Sequence, residues 1–153
     1  MVKSFRKFIL SAPFVFFSSV ISVSLLAQTN NVGEDVKNYQ RQLSEVEQSD
    51  GPFGSALIEP LVGLVNAHQK DGNYSSALDE QRRLIQIVRT EYGFSDLRLL
   101  PLLRTQLEIE LLLGGTDSVS DIFDHMRFVQ SSAGDENPDE LLSIIDEQAY
   151  WSL

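Results

Sequence analysis

Residues 57–78 read LIEPLVGLVNAHQKDGNYSSAL. Leu57, Leu61, Leu64, Val65 and His68 recur three and four positions apart, the period of an amphipathic helix with one buried stripe. Asp71-Gly72-Asn73 is a stop signal, and Ser75 or Ser76 opens a second helix. Ala77, Leu78, Leu84, Ile85 and Val88 form the buried side of that helix, and Gly93 closes it. So short a connection makes the two helices antiparallel neighbours. The unit read from this stretch is a helix pair.

Outward from the pair, the sequence matches itself at an offset of 41 residues. Gln40-Arg41 recurs as Gln81-Arg82, Leu43 as Leu84, Phe53 as Phe94 and Pro60-Leu61 as Pro101-Leu102. Val46 pairs with Ile87 and Ile58 with Leu99. A fixed period of this length marks stacked supersecondary units that bury a shared core. A helix from Glu34 or Asp35 to Ser49 precedes the quoted stretch, and Asp96–Leu113 follows it, ended by Gly114-Gly115. Ser118 with Asp121 opens a further helix whose apolar positions are Ile122, Phe123, Met126 and Val129. Asn137-Pro138 with Glu140 is an N-cap, a first-turn proline and an acid in sequence, and opens the last helix. Pro60 and Pro101 either occupy first turns, where proline is tolerated, or kink helices that begin at Ser55 and Asp96. No strand pattern stands in this part. The fold expected over 34–153 is all-α, built of antiparallel helix-pair repeats.

The residues Leu61, Leu64, Gly72, Tyr74 and Ala77 resemble the tetratricopeptide repeat pattern of two apolar positions, a turn glycine, an aromatic and a small residue at the helix crossing. Val65, Gln81 and Leu84 depart from it, standing where that pattern has a small residue, an aromatic and an alanine. Gly51-Pro52-Phe53, Glu59-Pro60-Leu61, Gly63-Leu64 and Leu100-Pro101-Leu102-Leu103 are similar to exported, uncharacterised long-period repeat proteins of Gram-negative bacteria. The resemblance implies an α-solenoid fragment with a partner-binding role and no chemistry.

The first 27 residues have a different character. Met1–Lys7 is basic, Phe8–Leu26 is almost wholly apolar, and Ala27 precedes the polar run Gln28-Thr29-Asn30-Asn31. This is the layout of a secretory signal. Cleavage after Ala27 leaves a periplasmic protein with a short polar linker over 28–33. The other reading is an uncleaved inner-membrane anchor with the domain facing the periplasm, since the apolar run approaches the ~20 residues a membrane span needs. In both, Lys3, Arg6 and Lys7 remain cytoplasmic, and membrane contact follows only from the uncleaved form.

The 153 residues carry a formal charge of −10 and no cysteine. Without residues 1–27, 9 basic side chains face 22 acidic ones, a balance of −13. Such a chain repels nucleic-acid phosphates and anionic lipid. The lack of cysteine excludes disulfides, thiolate catalysis and a lipid-modified cysteine anchor. No serine or threonine stands in a nucleophile motif, and Gly114-Gly115 lacks the flanking residues of a phosphate loop. His125 with Asp121 and Asp124 offers too few ligands for a metal centre and reads as a helix-surface ion pair. Asp135–Glu140 lacks the spacing of a calcium loop. His68 reads as a packing residue. Arg82, Arg83, Arg89, Arg98 and Arg104 read as solvated pairs with Asp79, Glu80, Glu91 and Glu108, or as an anchor for an acidic partner. The reading is therefore no enzyme and no cofactor.

The tetratricopeptide resemblance implies a binding surface on the first helix of each pair. Carried over from it by position, Glu59, Val62, Asn66, Gln69 and Lys70 would face the concave groove in the first pair, and Leu103, Leu107, Glu110 and Leu111 in the second. The expected function is a periplasmic scaffold or adaptor that holds a protein or peptide segment in that groove. The alternative is a structural subunit of an envelope assembly. The helix from Pro138 is apolar on more than one side, with Leu141, Ile145 and Ala149 in one stripe and Ile144 and Trp151 outside it. This predicts self-association through 141–153.

Overall fold

The computed structural model describes residues 21–115, 118–132 and 138–151, with side chains from Gly33 onward. Among the described residues, six α-helices follow one another: α1 (Ile21–Asp50), α2 (Ile58–Lys70), α3 (Tyr74–Tyr92), α4 (Leu99–Leu112), α5 (Val119–Ser132) and α6 (Pro138–Trp151). A 3-10 turn, Ser55–Leu57, leads into α2. Among the described residues there is no strand. Within the same residues, each helix packs its backbone closely on its neighbours in sequence and on no other helix. That nearest-neighbour pattern characterises stacked helical units.

The expected stripes are the buried ones. Leu57, Leu61, Leu64, Val65 and His68 are buried, as are Ala77, Leu78, Leu84, Ile85 and Val88, and in α5 Ile122, Phe123, Met126 and Val129. Most of these residues form one continuous core with Leu43, Leu99 and Leu103. A second cluster of Val65, Ala77, Leu78 and Ile109 sits where α2, α3 and α4 meet. Pro60 and Pro101 are each the third residue of their helix, so both occupy first turns, where an absent N–H leaves no bond unmade.

Several boundaries differ from expectation. α1 is already helical at Ile21, the first described residue, rather than starting near Glu34, so the stretch expected as a polar linker, 28–33, is helical. Asn73 rather than a serine caps α3, its side chain accepting a bond from the Ser76 N–H at 3.4 Å. The expected Asp96 start of α4 is instead a turn in which the Asp96 carboxylate accepts the Arg98 N–H at 2.9 Å, and the helix begins at Leu99. The basic segment before residue 21 and the acidic Asp135–Asn137 run lie outside the described residues.

The repeat period is also corrected. α2 ends with Gly72 at φ 72°, and Asn73 N–H donates to the His68 carbonyl at 2.9 Å. α4 ends with Gly114 at φ 74°, and Gly115 N–H donates to the Glu110 carbonyl at 2.9 Å. These are the same left-handed cap, 42 positions apart. Gly51 and Gly93, which close α1 and α3 with positive φ, are also 42 apart. At this offset buried residues match: Leu43 with Ile85, Leu57 with Leu99, Leu61 with Leu103, Val65 with Leu107, Gln81 with Phe123. At 41 fewer do: Leu43 and Leu84 are both buried, but Pro60 is buried and Pro101 exposed, Gln81 buried and Gln40 exposed.

Side-chain bridges join alternate helices. Arg83 of α3 reaches Glu47 of α1 at 2.5 Å and the Pro52 carbonyl at 3.1 Å. Arg104 of α4 reaches Glu140 at 2.7 Å and Glu147 at 3.0 Å, both on α6. The odd-numbered helices and the even-numbered ones thus share two sides of the stack. These pairs are about a third exposed, so each contributes only ~0–1 kcal/mol. A fully buried leucine contributes ~1.5–3 kcal/mol. The core therefore holds the stack, and the bridges fix which helix turns meet.

Candidate functional site

α2 presents one face of polar side chains at helical spacing. Glu59, Val62, Asn66 and Lys70 are exposed, and Gln69 is half-buried. They lie opposite the stripe Leu57, Leu61, Leu64 and His68, which is buried. The side chains expected in the groove of the first pair therefore lie on the solvent side of α2, Gln69 partly covered.

The second half of the predicted groove is not. Leu103, Leu107 and Glu110 are all buried. Leu103 and Leu107 belong to the main core, and the Glu110 carboxylate accepts from Arg82 at 2.7 Å. The reason is the register. Carrying the α2 face onto α4 at 41 residues lands one position early, and one residue turns the face by ~100° about the helix axis. At the 42-residue register the counterparts of Glu59, Val62, Asn66, Gln69 and Lys70 are Pro101, Arg104, Glu108, Leu111 and Leu112, all exposed or half-buried. Of these, Arg104 is occupied by its two carboxylates on α6, which hold its guanidinium charged beyond its ordinary range: the Glu140 hydrogen bond is the main cause, opposed by burial.

The arginines are corrected as well. None forms the pairs Asp79–Arg83 or Arg104–Glu108 expected along one helix; Arg82, Arg83 and Arg104 reach across to other helices. Gln81, where the resembled pattern has an aromatic, is buried and donates its amide N–H to the Leu102 carbonyl at 2.6 Å. His68 is buried as a packing residue, and its Nδ1 finds no hydrogen-bond partner among the described residues.

His125 does not pair with Asp121. Its ring stacks on Phe94 with centroids 4.3 Å apart, and Nε2 lies 3.2 Å from the Phe94 carbonyl, placed to donate to it. Burial, with Arg89 adding like charge, lowers the His125 pKa, against the raising effect of that carbonyl. Phe128 packs against Phe94 as well, at 5.4 Å, and the Arg89 guanidinium lies 4.2 Å from the Phe94 ring. Arg98 stands 4.1 Å from the Tyr92 ring. A shallow open recess beside them is lined by Tyr92, Ser95, Asp96, Leu97 and Arg98. Sequence reasoning misses this aromatic and cationic patch. The available signal is Phe128, a large aromatic off the buried stripe of α5.

On α6 the roles differ from expectation. Ile144, expected in water, is fully buried in the core, and Leu141 is half-buried. Ile145 and Trp151 are exposed, together with Leu142 and Tyr150, which the stripe reading passes over. Glu140, Ile144 and Glu147 share the docked face, because they are four and three residues apart.

Among the described residues no helix is long and apolar enough to cross a membrane. Nor does any group of three or more His, Asp or Glu side chains there converge on a point that could hold a metal ion. No protein-family model and no curated protein matches this chain.

Proposed function

We propose that the chain is a non-catalytic interaction module of the tetratricopeptide type, exported to the periplasm, that holds an extended protein segment against the outer face of α2 and α4. The observation that carries this reading is the α2 face: Glu59, Val62, Asn66 and Lys70 stand exposed in a row on a helix whose other side is sealed into the core. Amide and charged side chains spaced by one turn suit the alternating N–H and C=O groups of an extended backbone. Helical stacks in which each unit touches only its neighbours supply extended surfaces of this kind. The test is affinity capture from envelope extracts with the wild-type protein and an Asn66→Lys, Gln69→Lys variant side by side. A partner retained by the wild type and lost by the variant supports the reading; equal retention overturns it. Export is tested separately by fusing residues 1–30 to a reporter active only outside the cytoplasm, where an inactive fusion refutes it.

A second reading is favoured by α6. Leu142, Ile145 and Tyr150 stand exposed on the part of α6 turned away from the core, and Trp151 is exposed as well; exposed apolar surface of this kind marks an association site. On this reading the protein is a structural subunit that assembles through its C-terminal helix.

A further inference from the structure

Among the described residues, two exposed apolar surfaces differ in the charge that stands beside them. One is the patch around Phe94, where Tyr92, Phe94, Leu97 and Phe128 are exposed beside Arg89 and Arg98. The other is the face of α6 turned away from its Arg104 bridge, where Leu142, Ile145 and Tyr150 stand exposed beside Asp139 and Asp146. Resting on the second reading above, we propose that α6 of one copy docks head to tail on the Phe94 patch of a second copy.

Charge decides the pairing. Arg82, Arg83, Arg98, Arg104 and Arg127 each pair with a carboxylate. Among the described residues Arg89 lies over the Phe94 ring, near His125, and makes no salt bridge, so its guanidinium is the one in this patch left to take a further acid. α6 is rich in acids, with Glu140 and Glu147 engaged by Arg104 and Asp139 and Asp146 exposed. A symmetric contact of α6 with α6 would press the acids of two chains together, each of net charge −10. A contact of patch with patch would oppose Arg89 to Arg89. Only the crossed pairing sets unlike charges face to face, which is what selects register and partner at an interface. The patch also has the composition that dominates binding energy, arginine and aromatic rings already held in place by stacking. Because the two surfaces differ, a docked pair keeps one free patch and one free helix, so assembly continues into rings or open chains.

The experiment is sedimentation across the micromolar range with protein produced from the full 153-residue chain. The wild type should form oligomers whose mean size rises with concentration. Arg89→Glu, which damages only the patch, and Leu142→Asn with Ile145→Asn, which damages only the helix, should each sediment as monomers. All the changed side chains are exposed or half-buried, and circular dichroism checks that the fold is kept. Mixed in equal amounts, the two variants should form a one-to-one dimer and nothing larger, since one intact patch meets one intact helix. Phe128→Ala, a second lesion in the patch, should behave as Arg89→Glu does. If the helix variant is monomeric while the patch variants assemble like the wild type, the head-to-tail pairing is wrong and association through α6 stands. A mixture that stays monomeric although the wild type assembles also overturns the pairing. A strictly monomeric wild type overturns both the pairing and the association through α6.

Discussion

Two glycines show how the same substitution takes opposite signs in this molecule. Gly33 lies within α1 with nothing near the position a Cβ would occupy, whereas a Cβ at Gly63 of α2 would run into the ring of Tyr39 on α1. Gly33→Ala should raise stability by ~0.5–1 kcal/mol, the ordinary gain from replacing a helical glycine. Gly63→Ala should lower it by ~1–3 kcal/mol, because the overpacking outweighs that gain. Urea midpoints measure both, and in a Tyr39→Ala background the Gly63→Ala loss should shrink or reverse. Ala77, fully buried between α2 and α4, makes a parallel case. Ala77→Leu should cost ~1–3 kcal/mol, while Asp79→Ala, exposed on the same helix, should stay within ~0.5 kcal/mol. His125 adds a pH dependence. Its folded pKa lies below the ordinary 6.5, so below that value the unfolded chain binds the proton more readily and stability falls as pH falls. His125→Phe keeps the stack on Phe94 and cannot titrate. Its melting temperature should therefore fall less than that of the wild type between about pH 7 and pH 5.5, above the carboxylate range near 4.

At the scale of the element, each of the first four helices owes its end to a glycine and its neighbour to a short turn. Gly72 and Gly114 adopt φ of 72° and 74°, a conformation that costs a side-chain-bearing residue ~1–2 kcal/mol. Gly72→Ala and Gly114→Ala should each destabilise by about that much in urea titrations, and by similar amounts, since the two caps make the same hydrogen bonds. α6 is held differently from the others. Its fully buried apolar side chain is Ile144, flanked by the Arg104 bridges to Glu140 and Glu147. Arg104→Met should therefore speed amide exchange across 139–151 several-fold while leaving α2 and α3 unchanged, and high salt should produce part of the same effect in the wild type. Exchange over α6 that is unaltered by either treatment would show that Ile144 alone holds it.

Over the whole molecule, the two proposed surfaces follow from how the stack distributes its charges and rings. Salt bridges engage five of the seven arginines among the described residues, three of them across helices, which leaves Arg89 as the arginine without a carboxylate in the aromatic patch. The polar α2 face and the acidic, apolar α6 face stand on helices of the same side of the stack. A partner segment on α2 and a second copy on α6 are therefore separable: Asn66→Lys with Gln69→Lys should abolish capture of a segment and leave the sedimentation profile as it was. Leu142→Asn with Ile145→Asn should do the reverse.

The sequence by itself determined the all-helical class, the stripes that face the core and the first-turn prolines as one of two options. Each of these depends on local spacing, in which a side chain three or four positions away lies on the same helix face. Leu57, Leu61, Leu64, Val65 and His68 were legible for that reason. What only the tertiary structure decided was the register between repeats and the partners across helices. Identical residues at 41 positions, such as Pro60 and Pro101, outweighed the less similar residues that occupy equivalent places at 42, such as His68 and Glu110. The cap glycines give the repeat its geometry, and they tolerate unrelated neighbours. A one-residue error is invisible in a set of matches, yet it turns a helix face by ~100°, which is why Leu103, Leu107 and Glu110 were expected in the groove and lie in the core. Phe94, His125 and Arg89 come together from a loop and two helices, and Arg104 reaches two acids on α6. No sequence spacing encodes those meetings, because they exist only once the helices have packed.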